Sequence, residues 1–265
     1  MLDSFDRDIT YLRISVTDRC NLRCTYCMPA EGIPHRPQSE LLSYEEIARV
    51  VQSAAGLGFT KVRLTGGEPL VRRDLVVLVE KIARIPGIRE IGMTTNGTLL
   101  PRHAHALRTA GLSRVNISID TLDPGRYGAL TRGGQLERAL EGVNAARAEG
   151  FVIKINSVVS NETTREELES LQRFCDQNGY ELQLIEHYLL NNEKHEQYRF
   201  SRPPKCANCN RIRLLSDGVL KPCLQSNLEI PLDPEDVSGS LKEAVRQKPE
   251  KGTGCTNRTM AEIGG

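Results

Sequence analysis

Six short β-branched runs alternate with amphipathic helical stretches over the first two-thirds of the chain, and this alternation most narrows the fold. The runs are YLRISVT (11–17), KVRLT (61–65), EIGMTT (90–95), RVNISID (114–120), VIKINSVV (152–159) and ELQLIE (181–186). Helical patterns lie between them near 43–57, 71–85, 99–111, 134–149 and 163–178. Ser43, with Glu46 three residues later, forms a capping box that opens the first helix. Six strand–helix steps with short loops predict a parallel sheet, either open or curled into a partial barrel.

The unusual residues choose between these. Cys20, Cys24 and Cys27 follow the first strand, GGEP (66–69) the second, and TTNG (94–97) ends the third. SID (118–120) ends the fourth, and Glu186 and His187 end the sixth. Motifs spread over the carboxyl ends of five strands suit a barrel mouth. A doubly wound sheet would gather them at one switch point. The expected fold is α/β, a partial (β/α)6 TIM-type barrel over residues 1–190. From 191 the pattern fails: a polar stretch (191–204) leads into a cysteine-rich tail. Residues 191–265 are expected to form a small C-terminal module that depends on a metal centre for stability.

Eight cysteines in 265 residues need a reason. Hydrophobic residues make up 39% and charged residues 26%, an ordinary soluble composition, and the N-terminus (MLDSFDRDIT) carries charges where a signal peptide is apolar. No apolar run reaches membrane-spanning length, so a cytoplasmic protein with no membrane partner is expected. A net charge of +1 gives no broad footprint for DNA. In a reducing compartment, metal binding explains clustered cysteines better than disulfides do. Six cysteines form two groups: Cys20, Cys24, Cys27 and Cys206, Cys209, Cys223. Cys175 lies in a helical pattern and reads as a small buried hydrophobe, while Cys255 stands alone.

Three thiolates do not close a structural zinc site, which takes four ligands. On a four-iron cluster they leave one iron open. A zinc site with a distant fourth ligand is the alternative from spacing alone. Cys-x-x-x-Cys-x-x-Cys with Tyr26 before the last cysteine resembles the signature of the radical S-adenosylmethionine (SAM) superfamily. The resemblance implies a [4Fe–4S] cluster whose open iron binds SAM and cleaves it to a 5′-deoxyadenosyl radical. It extends to TGGEP (65–69), the superfamily's segment for the SAM amino group. By resemblance, SAM contacts come from Tyr26, Gly66, Gly67, Glu68, Ser118 and Tyr188.

The likeness then narrows. LRISVTDRCNLRCTYCMP (12–29), KVRLTGGEPLVRRDL (61–75), TTNGTLL (94–100), VNISIDTLD (115–123), CANCNRIRLLSDGVLKPCL (206–224) and MAEIGG (260–265) closely resemble the GTP 3′,8-cyclases. These radical SAM enzymes begin molybdenum cofactor biosynthesis by joining guanine C8 to the ribose, starting with hydrogen abstraction at C3′. The resemblance implies a second [4Fe–4S] cluster on Cys206, Cys209 and Cys223, whose free iron meets the purine. It implies substrate contacts from Arg13, Arg63, Thr94, Lys154, Arg211 and Arg213, with Lys61 a weaker addition. It also implies catalytic roles for Arg211 and Arg213 and for a Gly264–Gly265 tail that threads into the active site, where bare backbone approaches the nucleotide closely. The partners implied are GTP, an electron donor of flavodoxin or ferredoxin type, and a second copy in a homodimer.

The residues also allow a zinc ribbon at the second triplet, or a cluster closed by Cys255 as fourth ligand. Arg211 and Arg213, two apart on an extended segment, point the same way and suit bidentate phosphate contacts. Arg13, Arg63 and Lys154 fall within strands and are expected at the inner end of the barrel near its mouth. Three features depart from the family pattern. Gln183 and Tyr188 stand where it has an arginine and a methionine, the connection to Cys206 is short, and Cys255 is extra. They support an alternative, a related radical SAM enzyme acting on another nucleotide or a peptide. A non-enzymatic metal-binding protein would leave GGEP, TNG and the glycine tail without purpose.

Overall fold

All six expected strands form in the computed structural model, which describes residues 1–194, 199–200 and 204–264. They are β1 (Tyr11–Ser15), β2 (Lys61–Thr65), β3 (Glu90–Thr95), β4 (Arg114–Ser118), β5 (Val152–Val159) and β6 (Glu181–Glu186). Neighbours in sequence pair in parallel, and the α/β fold is a partial barrel. Three further strands, β7 (Arg211–Leu214), β8 (Val219–Lys221) and β9 (Ile230–Pro231), continue the sheet beyond β1. The strand order is β6-β5-β4-β3-β2-β1-β7-β8-β9, with β7 parallel to β1 and β8 antiparallel to β7.

The helices largely follow the pattern. α1 (Tyr44–Gly56) opens with the expected box, in which Ser43 Oγ accepts from the Glu46 amide and Glu46 accepts from the Ser43 amide. α2 (Leu75–Ala83) begins later than its periodicity suggests, because Asp74 adopts φ 57° after a short turn at Pro69–Val71. α3 (Ala104–Thr109), α5 (Leu136–Ala148) and α6 (Arg165–Asn178) occupy the remaining expected stretches. Three helices among the described residues were not anticipated, the shortest being a turn at Met260–Ile263. α4 (Pro124–Thr131) starts from Asp123, whose carboxylate accepts from the Arg126 amide, and α7 (Val237–Arg246) starts in the same way from Asp236.

The strands largely alternate in polarity. Leu12, Ile14, Val62, Leu64, Val115 and Ile117 are fully buried beneath helices that contribute Ile47, Leu78 and Val143. Each such side chain contributes about 1.5–3 kcal/mol on burial, so the stabilising core lies outside the sheet. On the other face stand Arg13, Arg63, Thr94, Asn116 and Lys154. A filled barrel packs bulky branched residues inside. Here the inner face is polar, which gives a lined channel rather than a second core. Among the described residues no helix is long and apolar enough to cross a membrane.

Candidate active site

At the carboxyl ends of the strands, the end of β2 lies against the loop that leads into the first triplet. The Gly67 amide donates to the Thr17 carbonyl at 2.9 Å, and the Glu68 amide to the Arg19 carbonyl at 2.8 Å. A Cβ on Gly66 would strike the Thr17 carbonyl, and one on Gly67 the Arg19 carbonyl. The paired glycines are therefore required by backbone packing beside Cys20, before any ligand is considered. Cys20, Cys24 and Cys27 line a cleft of about 1030 Å³ together with Tyr26, Gly66, Gly67, Thr94, Ser118 and Tyr188.

Burial governs the chemistry of this cleft. It pushes Cys20 up to about 11, and Cys24 and Cys27 up to about 12, with Glu68 adding to the first and Asp120 to the second. Asp120 is itself pushed up to about 6 by burial, against hydrogen bonds from Val158 N and Tyr26. The Tyr26 hydroxyl donates to Asp120 Oδ2 at 2.7 Å, fixing the triplet loop to the end of β4. Thr94 Oγ1 is buried without a hydrogen-bond partner on the cleft wall.

Glu68, expected among the SAM contacts, lies outside the cleft lining. Its carboxylate accepts from Leu70 N at 3.0 Å, Thr95 Oγ1 at 2.8 Å and Asn96 N at 2.7 Å. Burial pushes it up to about 7 against those three hydrogen bonds. It pins the GGEP turn to the TTNG turn and so shapes the cleft from behind.

The second triplet occupies the opposite end of the sheet. Cys206 and Cys209 precede β7, which runs parallel to β1, and Cys223 follows the antiparallel β8. All three therefore sit where β1 begins, whereas the first triplet follows its end. β1 has five residues, which separates the two ends by about 16 Å at about 3.3 Å per residue. Cys206, Cys209 and Cys223 line a cavity of about 560 Å³ with Arg7, Arg211, Arg213 and Lys248. Burial raises the Cys209 thiol, but Lys248 and Arg211 outweigh it and bring the group down to about 7. Burial pushes Cys223 up.

Cys255 does not line this cavity. It is buried in an apolar group with Leu215 and Ile263, and its thiol meets Asn257 Oδ1 at 3.3 Å. Cys175 is buried in the main core, as its helical position suggested. Among the described residues, no three His, Cys, Asp or Glu side chains are placed to hold a single metal ion. Two three-thiol sets that each rim a cavity, yet do not converge on one ion, fit four-iron clusters better than zinc.

Between the ends, Arg213, Arg13 and Arg63 share one rung of β7, β1 and β2. Lys61 stands at the amino end of β2 and pairs with Glu90 at 2.7 Å, while Lys154 shares a rung with Asn116 and the cleft-wall Thr94 and reaches Glu181. Parallel strands all begin at one end, so charges at strand starts meet there. Arg63 Nη1 donates to Asn116 Oδ1 at 2.6 Å, deeper in the channel. Gln183 lies opposite Asn156, on a rung that continues to Ser118.

The Tyr11 ring lies between Lys61 Nζ at 5.4 Å and the Arg211 guanidinium at 5.2 Å. Burial raises its phenol, but Arg13, Arg63, Arg211 and Lys61 outweigh it and lower the group to about 8. Burial and the neighbouring Arg13 push Arg213 down to about 9. Arg213 Nη1 donates to the Gly264 carbonyl at 3.0 Å. Gly264, at φ 74°, is packed so closely that a Cβ would meet Thr65 Cγ2 at 2.6 Å. The tail helix α8 (Met260–Ile263) thus delivers backbone between the two cavities, with Met260 on the cleft wall. Gly265 lies outside the described residues. Burial pushes the Tyr188 phenol up, while Arg213, Arg13 and Arg211 oppose the shift, so this cleft residue also reaches the arginine row.

Sequence reasoning missed Tyr11, Asn116, Asn156 and Lys248, and marked Asp120 only as part of SID without a role. A signal existed for the strand residues, since RVNIS and VIKINS place polar side chains at alternate positions of a sheet covered by helices. No comparable signal marks Lys248.

The radical SAM superfamily profile matches residues 14–175. The GTP 3′,8-cyclase of Alkaliphilus oremlandii (strain OhILAs) is 40% identical over 320 positions, covering 100% of both chains. That of Petrotoga mobilis is 40% identical over 297 positions, covering 95% of this chain and 92% of its own. The chain belongs to the GTP 3′,8-cyclase family of radical SAM enzymes. Its fold is shared with Streptococcus suis SuiB bound to S-adenosylmethionine, at 17% identity and a TM-score of 0.64, over 82% of this chain and 60% of SuiB. Native anSMEcpe with bound AdoMet aligns at 16% identity and a TM-score of 0.66, over 91% of this chain and 81% of that one.

As a member of this family the chain is an enzyme that works with SAM and [4Fe–4S] chemistry. The residues present fit both. The cleft at the carboxyl end combines three thiols, an unpartnered buried hydroxyl and nearby carboxylates, a donor set suited to a cluster and a cationic cofactor. The alignment of 320 positions against 265 residues leaves about 55 positions of the Alkaliphilus enzyme without a counterpart here, in keeping with the short connection before Cys206.

Proposed function

We propose that this chain is a GTP 3′,8-cyclase, converting GTP to (8S)-3′,8-cyclo-7,8-dihydroguanosine 5′-triphosphate in the first step of molybdenum cofactor biosynthesis. The observation that carries this reading is the arginine row of Arg13, Arg63 and Arg213 between two three-thiol cavities. In this reading residues 1–190 form the SAM barrel, and 191–265 form the auxiliary-cluster module with its Gly264–Gly265 tail. Cys20, Cys24 and Cys27 hold the first cluster, and Cys206, Cys209 and Cys223 the second. Cys255 stays outside it, which leaves an iron open to the purine.

The first cluster, when bound, supplies the electron that cleaves SAM to the radical that abstracts the ribose 3′-hydrogen. The chain's own residues bind and orient. Tyr26, Gly66, Gly67, Ser118 and Tyr188 surround SAM, and Tyr26 is held by Asp120. Arg13, Arg63, Arg211 and Arg213 grip the triphosphate, and Thr94 offers its unpartnered hydroxyl. Lys61, tied to Glu90, supports from the amino end, and Lys154, tied to Glu181, from the rung of Asn116 and Thr94. The Gly264 carbonyl, fixed by Arg213, brings backbone against the nucleotide where a side chain would not fit. A flavodoxin- or ferredoxin-type donor in the cytoplasm supplies electrons, and the enzyme works as a homodimer.

The test is anaerobic. The protein is reconstituted with iron and sulfide, reduced with dithionite, and given SAM with and without GTP. Formation of both 5′-deoxyadenosine and the cyclised nucleotide is expected. SAM cleavage without GTP conversion would favour a different nucleotide or a peptide, the reading that Gln183 supports by removing a family arginine from the channel wall. No cleavage under any condition would sink both.

A further inference from the structure

Lys248 follows α7 and is buried to 2% exposure despite its ammonium group. Nζ donates to the Arg211 carbonyl at 2.9 Å and the Pro222 carbonyl at 2.8 Å. Lys248 lines the same cavity as Cys209, and its charge lowers that thiol. The acceptors come from two distant segments. Arg211 lies two residues past Cys209, and Pro222 immediately precedes Cys223. One side chain therefore fastens both arms of the second triplet.

Arg7 does comparable work at the remaining cysteine but differs in charge. Its Nη1 donates to the Cys206 carbonyl at 3.0 Å, and its Nη2 to the Pro249 carbonyl at 2.8 Å. Its Nε pairs with Asp3 at 2.6 Å, which balances the guanidinium. The hydrogen-bond partners of Lys248 are two carbonyls, neither of which supplies a carboxylate.

We propose that Lys248 is the positioning residue of the second triplet, and that its charge raises the reduction potential of the iron–sulfur cluster held there. This rests on the two-cluster reading of the site. A reduced cluster carries one more negative charge than the oxidised one. A buried cation in the wall of the cavity that holds the cluster therefore stabilises the reduced form more. The first triplet has the opposite setting, with Glu68 and Asp120 acting on its thiols.

The experiment uses the full chain with Cys20, Cys24 and Cys27 replaced by alanine, so that iron reports on the second site alone. Lys248→Gln keeps hydrogen-bond donors and loses the charge, while Lys248→Arg keeps the charge. Each is reconstituted, assayed for iron and sulfide, and titrated potentiometrically with EPR detection. In the glutamine variant the reduced-to-oxidised ratio at fixed potential is expected to fall about tenfold, a shift of about 59 mV to more negative values for one electron. The arginine variant should stay near the parent. Loss of iron in the glutamine variant alone also supports the proposal, because the charge is then what holds the site. Equal potentials in all three proteins, or loss of iron in both variants, would overturn it while leaving the two-cluster reading intact. A parent that takes up no iron would overturn that reading and this inference together.

Discussion

The two ends of the barrel each present three thiols, yet their surroundings carry opposite charge. At the carboxyl end, Glu68 and Asp120 are buried beside the triplet and its thiols are pushed up. At the amino end, Arg7, Arg211, Arg213 and Lys248 line the cavity, and Cys209 is brought down to about 7. Two tyrosines report the same contrast. Burial with Asp120 and the thiols beside it pushes Tyr26 up, whereas the cations around Tyr11 overcome burial and lower it to about 8. Thiol number does not distinguish the ends. Their fields do, since a cationic sulfonium cofactor suits the first and an anionic triphosphate the second.

The comparison breaks most directly at the cysteines. Cys24→Ala should reduce 5′-deoxyadenosine formation to the uncatalysed background, because the first site then has two thiolates. Cys223→Ala should still cleave SAM while forming no cyclised nucleotide. Equal loss of cleavage in both, measured by chromatography after anaerobic turnover, would merge the two sites into one function. Arg213→Gln should come next. Removing a charge-assisted phosphate contact costs about 1.5–3 kcal/mol, about ten- to a hundredfold in GTP affinity. SAM affinity should stay within about twofold, since the arginine lies outside the lining of the first cleft. Equilibrium dialysis with each ligand checks this, and parallel losses would contradict separate fields.

Much of this layout was legible in the sequence because it is local. The first triplet and TGGEP are short motifs beside strand ends, and their spacing places them on one face. The direction of the second triplet was not legible. It depends on β7 pairing with β1 in parallel, a contact between segments about 200 residues apart. Glu68 was read as a ligand contact because its motif suggests one, but the ends of β2 and β3 close around its carboxylate. Cys255 looked like a fourth ligand by residue type alone. Its apolar neighbours Leu215 and Ile263 come from opposite sides of the module and could not be paired from sequence. The alternation in RVNIS was visible, and reading it would have revealed a polar interior.

Gly264 joins the two ends, so a substitution there tests their connection rather than either field. Gly264→Val must hold φ near 74° and place a Cβ 2.6 Å from Thr65 Cγ2. Strain of about 1–3 kcal/mol would displace the tail from Arg213. The expected result is about a tenfold fall in cyclised product per 5′-deoxyadenosine, with iron content unchanged. An unchanged ratio would mean that the tail does not position the nucleotide.

The smallest expected effect is the titration of Tyr11, which measures the basic field without any ligand. Difference spectroscopy of the phenolate should find one group near 8 that is absent in Tyr11→Phe. Replacing Arg211 by glutamine should move it upward, toward the ordinary phenol value of about 10. The sign for stability follows from a folded value below the unfolded one. The contribution is fully present above about 10 and is lost as the pH falls through about 8. The gap in unfolding free energy between wild type and Tyr11→Phe should therefore widen as the pH rises through that window. Binding should run the other way. A phenolate among Arg13, Arg63, Arg211 and Lys61 competes for the charge that a triphosphate needs, so GTP affinity should fall above about 8 in the wild type. Tyr11→Phe should flatten that fall, and an unaltered profile would mean that the cations around Tyr11 do not bind the substrate.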